Sequence, residues 1–180
     1  MKILIKSAII LILTALSLAA LSSCGFPWSR ERSSGKRIVN TEVEQQKIAK
    51  SILKAFDEQD QEALKSLFCE KSQAIPELDE QIQAAMDFYE GKMVSYDDSS
   101  IWTSDGQRRE AGIITRVTTG GRIRYIETDA GKHYTIAFSN HLVNKDDPDK
   151  VGISKLRIMY GDILDKNRSG EEVVVGEFYY

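Results

Sequence analysis

The chain has 180 residues, 42% of them hydrophobic, with 24 Lys and Arg against 27 Asp and Glu and two cysteines. That length suits one domain with a real core, the acidic balance argues against nucleic acid as a partner, and two cysteines are too few for a disulfide framework. No glycine-rich phosphate loop, C-x-x-C pair or H-E-x-x-H motif is present, so nothing implies a cofactor or a metal.

Residues 1–23 divide into the three zones of an export signal. Lys2 and Lys6 supply the positive start, Ser7 to Leu21 carry no charge, and the run closes on Leu21-Ser22-Ser23-Cys24. An uncut transmembrane helix would need about 20 apolar residues; this run is shorter and ends on two serines. Leu-Ser-Ser-Cys resembles the lipobox of bacterial lipoproteins at all four positions, which favours that reading over a plain secretory signal. The resemblance implies that the Cys24 sulfur receives a diacylglyceryl group, that cleavage falls just before it, and that the new amine is often acylated. Two or more fatty chains on one residue anchor stably where one is marginal. The expected location is the extracytoplasmic face of the cell membrane, with membrane lipid engaged through Cys24.

Removal of 1–23 leaves 157 residues with a formal net charge of −5. Residues 25–40 hold Arg30, Arg32, Lys36 and Arg37 against Glu31, a net of +3, and with Cys24 form a polar tether, 24–40. Trp28 suits a membrane interface. Residues 41–180 carry 18 basic and 26 acidic groups, a net of −8. Basic residues near anionic headgroups gain roughly 1 kcal/mol each, so the tether is drawn to the surface and the acidic body is held off it.

The globular domain is expected over 41–163. Thr41 and Glu44 form a T-x-x-E capping box, followed by Ile48, Ala49, Ile52, Leu53, Ala55 and Phe56 at helical spacing. Asp60 caps a second helix with Ala63, Leu64 and Leu67 on one face. A third begins near Pro76, carries Leu78, Ile82, Ala85, Met86 and Tyr89 as a stripe, and stops at Gly91. Beyond Gly91, β-branched and aromatic residues rise and alternate. Lys92 to Thr103 predicts a strand broken at Asp97-Asp98-Ser99-Ser100, and Ser104-Asp105-Gly106-Gln107 predicts a turn. Ile113 to Thr118 and Arg122 to Thr128 predict two strands separated by a turn at Gly120-Gly121. In the second, Ile123 and Tyr125 share one face and Arg122, Arg124 and Ile126 the other. Asp129-Ala130-Gly131 predicts a tight hairpin loop. His133 to Leu142 predicts a strand with Tyr134, Ile136 and Phe138 toward the helices. Asn144 to Lys150 predicts a turn, and Ile153 to Tyr160 a strand. The tail, 164–180, offers a short edge strand at Val173-Val174-Val175 or none.

Helices followed by antiparallel strands define an α+β fold. This order over residues 41–160 resembles the nuclear transport factor 2-like fold, which implies a cone-like curved sheet wrapped on a helix around a cavity. Leu64-Lys65-Ser66-Leu67-Phe68, and Asp146-Asp147-Pro148-Asp149-Lys150-Val151-Gly152-Ile153 running into Leu156, resemble a family of Gram-positive lipoproteins carrying a domain of unknown function, number 5104. That resemblance implies no activity.

With Cys24 acylated, Cys69 is the remaining thiol; it follows Leu67-Phe68 and reads as a small buried hydrophobe rather than a nucleophile. Asp146-Asp147-Pro148-Asp149 lacks the alternation, central Gly and late Glu of a calcium loop and reads as a turn. Arg122 and Arg124, two apart on one strand face, would grip a carboxylate or phosphate unless they pair with Glu127 or Asp105. Tyr89, Tyr96, Trp102 and Tyr125 would line a ligand cleft or fill the core, and His133 points outward by alternation. The preferred expectation is a non-catalytic, membrane-tethered binding or scaffolding domain for a small apolar or peptidic ligand or an envelope protein. The alternatives are an isomerase or hydratase using Asp97, Asp98, Asp105 or His133 in an apolar pocket, and a protein serving immunity, sporulation or envelope stress by contacts alone.

Overall fold

A computed structural model describes residues 40–101, 104–161 and 170–179. The export signal, Cys24, the tether up to residue 39, Trp28 and Trp102 lie outside the described residues.

Among the described residues four helices precede the sheet: α1 (Thr41–Glu58), α2 (Gln61–Ser66), α3 (Glu70–Gln73) and α4 (Leu78–Phe88). The cap of α1 is Asn40, not Thr41. Its Oδ1 accepts from Val43 N at 3.4 Å, while Thr41 is already helical and buried. Glu44 turns outward to Lys47 at 2.8 Å instead of closing a capping box. Asp60 caps α2 as expected, accepting from Ala63 N at 2.9 Å. Pro76 falls just before α4, and Gly91 follows it with φ +85. The single-turn helix α3 was not predicted; Cys69 stands at its N-cap, buried, with Sγ 3.2 Å from Ser72 Oγ. The thiol is thus part of the packing, as its apolar neighbours suggested.

The six strands form one antiparallel sheet: β1 (Met93–Asp97), β2 (Ser104–Glu110), β3 (Ile113–Thr128), β4 (His133–Asn144), β5 (Gly152–Tyr160) and β6 (Glu172–Gly176). The order is β1-β3-β4-β5-β6, and β2 pairs with the first half of β3 while β1 pairs with the second. Two expected turns are strand instead. Ser104 to Gln107 opens β2, and Gly120-Gly121 lies in mid-β3. The turn falls at Ala111-Gly112, with φ +47 and +80 at its two residues, a tight two-residue hairpin. Gly121 is required by packing: a β-carbon there would run into the Phe138 ring and reach 2.8 Å from Gln45 Oε1. Val173 to Val175 does form an edge strand, paired with β5.

A bulge between Ile123 and Ile126 overturns the predicted alternation. Tyr125 takes φ +54 and turns out, so Ile123 and Ile126 both face the helices and are fully buried. The core between helices and sheet is filled by Ile52, Phe56, Ile82, Met86, Tyr89, Ile123, Tyr134, Ile136, Leu156 and their neighbours. Tyr134 ties strand to helix, donating to Phe88 O at 2.9 Å and accepting from Glu90 N at 3.0 Å. At one end the core turns polar. Gln45 Nε2 and Thr119 Oγ1 both donate to Asn140 Oδ1, at 3.1 and 2.6 Å.

Leu64–Phe68 and Asp146–Ile153 meet. Phe68 forms a parallel bridge with Ile153. Ile153 N donates to Leu67 O and Cys69 N to Ile153 O, both at 2.9 Å.

Candidate functional site

The helices cover one face of the sheet; the other carries charge. Register places Arg122, Ala137 and Arg157 in one row across β3, β4 and β5, and Ser104, Gly120, Ser139 and Lys155 in the row beside it. Strands about 4.8 Å apart put the Arg122 and Arg157 backbones about 10 Å from each other. Short side chains between long ones leave a hollow. It measures about 230 Å³, with Gly120, Gly121 and Ala137 in its floor and Arg122, Lys155, Arg157 and Phe178 in its walls.

The electrostatics follow from the row pattern. Arg157 Nε lies 3.8 Å from Glu172 Oε2. Among the described residues, Arg122 and Lys155 face no carboxylate within ion-pair distance. Arg122 Nε is closed off from solvent and has no hydrogen-bond partner there. Lys155 Nζ stands 4.4 Å from the centre of the Phe178 ring, which is half-exposed. The expected pairing of Arg122 with Glu127 or Asp105 does not form; Glu127 instead accepts from Ser95 Oγ at 3.3 Å. Arg124 lies over the Tyr125 ring at 4.6 Å, and its Nη2 donates to Tyr125 Oη at 2.8 Å, so the two arginines do not act as one fork.

The remaining candidates do not converge. Tyr89 is core, stacked between Phe56 and Tyr134 at 5.0 Å from each, with Oη donating to Asp57 Oδ1 at 3.3 Å. Burial, with Asp57 beside it, raises its hydroxyl well above the ordinary tyrosine value. Tyr96 borders a separate hollow of about 210 Å³ with Lys50, Lys54 and Met93. Tyr125 and His133 are exposed. Asp97 caps a short 3-10 turn, accepting from Ser99 N at 3.0 Å, and Asp98 and Asp105 are exposed. Asp146 lies 3.7 Å from Arg116, and Asp147 lies 3.3 Å from Lys150, the contacts of a turn. Among the described residues no group of three or more His, Cys, Asp or Glu is placed to hold a metal.

Lys155 and Arg157 escaped the sequence reading, although they alternate with Leu156 and Ile158 on β5. Their signal was the same as that of Arg122, a cation on the face opposite the apolar set. His141 was also missed. It is buried, and burial, together with Arg116 and Lys150, lowers its ring below the ordinary histidine value against a smaller pull from Asp147. A hollow of about 270 Å³ lies beside it, lined by Ile48, Leu67, Asn140 and Val151 among others.

Fold and cleft together define a small α+β domain with helices on one face of an antiparallel sheet and an open cationic cleft on the other. The family model described as domain of unknown function (DUF5104) matches residues 51–161, and the chain belongs to that family. The match runs from within α1 to the end of β5 and contains Arg122, Lys155 and Arg157. No curated protein matches the chain.

Proposed function

We propose that this chain is a bacterial envelope lipoprotein, held by acylated Cys24 on the extracytoplasmic face of the membrane, whose domain binds a small anion on the open face of its sheet. The observation that carries the binding half is the cluster of Arg122, Lys155 and Arg157 around a floor of small residues, with Glu172 as its one carboxylate among the described residues. It stands out because residues 41–180 are otherwise strongly acidic. The anchoring half rests on the export signal and on Leu21-Ser22-Ser23-Cys24. The helix-then-sheet order is the feature that supports a cone-like, nuclear transport factor 2-like domain, a reading kept here as part of the proposal. The catalytic alternative has no comparable support, since Asp97, Asp98, Asp105 and His133 sit at caps and exposed positions.

Two measurements test the halves separately. Mass spectrometry of the native protein should find Cys24 as the first residue with an added acyl mass; an intact leader or another start overturns the anchor. Inorganic phosphate and acetate titrated into the detergent-solubilised full chain should bind, and Arg122→Gln should weaken binding at least tenfold with an unchanged unfolding midpoint. Equal binding by wild type and variant, or none by either, overturns the site.

A further inference from the structure

The charge inside the cleft can be counted. Among the described residues three cations line the cleft and one carboxylate, Glu172, stands beside Arg157, a formal +2 before anything binds. A monocarboxylate leaves one of those charges uncovered; a dianion leaves none. The donors also have a shape. Arg122 and Arg157 approach from two strands on either side of Ala137, and a guanidinium fork meets phosphate oxygens two at a time, while Lys155 adds a point charge from the next row. Gly120 fits a close approach. Its backbone is ordinary extended strand, so it is not needed for an unusual angle, yet a β-carbon there would stand 3.2 Å from Ser104 Oγ and intrude on the floor.

Beside Lys155 the cleft turns apolar: the half-exposed Phe178 ring lies beneath the Lys155 ammonium, while Met159 lies beyond Arg157 at the opposite end. A cleft of about 230 Å³ lies below the range of about 300 Å³ upward typical of drug-sized ligands, so it takes a small group. A tetrahedral anion between the two arginines and a small organic group against Phe178 describe an ester.

We propose that the open-face cleft recognises a phosphate monoester in its dianionic form, a reading that rests on the anion-binding assignment above. The monoester comes either from a soluble metabolite or from a lipid headgroup; the recognition chemistry is the same.

The test uses the full chain in neutral detergent micelles and a calorimetric titration at pH 7.5. Phenyl phosphate should bind at least tenfold more tightly than benzoate, succinate or diphenyl phosphate. Arg157→Gln should cost at least tenfold, and Phe178→Ala should reduce the preference for phenyl phosphate over inorganic phosphate at least threefold, both with an unchanged unfolding midpoint. The second phosphate ionisation falls near pH 6, so lowering the pH to 5 should weaken binding at least tenfold. Competition by nanodiscs of phosphatidylcholine containing phosphatidic acid identifies a headgroup as the source; its absence identifies a soluble ester. Succinate or benzoate binding as tightly as phenyl phosphate overturns the monoester and leaves the anion site standing. Failure of every anion to bind overturns both.

Discussion

A single backbone angle at Tyr125 decides what β3 presents on both faces. The left-handed conformation of a bulky residue costs on the order of 1–3 kcal/mol and persists only where its surroundings demand it. Here the demand is the burial of Ile123 and Ile126 three positions apart, which regular alternation cannot supply. The bulge begins beyond Arg122, so that arginine stays in register with Ala137 while Arg124 is diverted onto the Tyr125 ring. His141 gives the residue scale its test. Burial and two nearby cations favour its neutral ring in the folded state, so its folded pKa lies below the ordinary 6.5. The unfolded chain then binds more protons between the two values, and stability is full above about pH 6.5 and falls as the pH drops toward the depressed one. Denaturant unfolding at pH 7.5 and 5.5 should show a larger loss for wild type than for His141→Gln. Equal losses would mean the ring has no such influence.

Gly152 controls how the helical half meets the sheet. It takes φ +125, and a β-carbon there would lie 2.8 Å from Cys69 N, where Phe68 bridges Ile153. Gly152→Ala should therefore cost at least about 2 kcal/mol in urea unfolding, from strain and from parting the bridge. Gly131→Ala, also at positive φ but in open space, should cost only about 1 kcal/mol. Equal costs would remove the junction from the argument. The same contrast explains what the sequence made legible. Helical stripes, the Asp60 cap and the strands from His133 to Tyr160 follow from local periodicity and appear as expected. Gly120-Gly121 misled because the reason for Gly121 is the Phe138 ring, 17 residues away in sequence. Ala111-Gly112 was invisible because alanine is not a turn residue by type. One of the three cations of the cleft, Arg122, was legible; joining it to Lys155 and Arg157 needed the strand order that sets β4 between β3 and β5.

At the scale of the whole molecule, two opposed fields act on an incoming anion. The body, residues 41–180, carries a net −8, whereas the cleft walls hold +2. Screening separates them by distance. At 0.01 M salt the Debye length is about 30 Å, so the acidic body reaches the cleft and repels the ligand; at 0.15 M it is about 8 Å, and the cleft's own cations dominate. Partly buried contacts at hydrogen-bond distance are screened far less. A basic site on a basic protein loses affinity steeply as salt rises from the lowest values. This site should not. Between 0.01 and 0.15 M the dissociation constant for phenyl phosphate should change by less than about threefold, because lost attraction is offset by lost repulsion. Above about 0.5 M, where only direct contacts survive, binding should weaken steadily. Reducing the long-range repulsion, by changing Glu42, Glu44, Glu58 and Glu62 on α1 and α2 to Gln and so taking the net from −8 to −4, should make the fall from 0.01 M steeper than in the unaltered chain. A steep fall already present in the unaltered chain would show that the acidic body is not felt at the cleft.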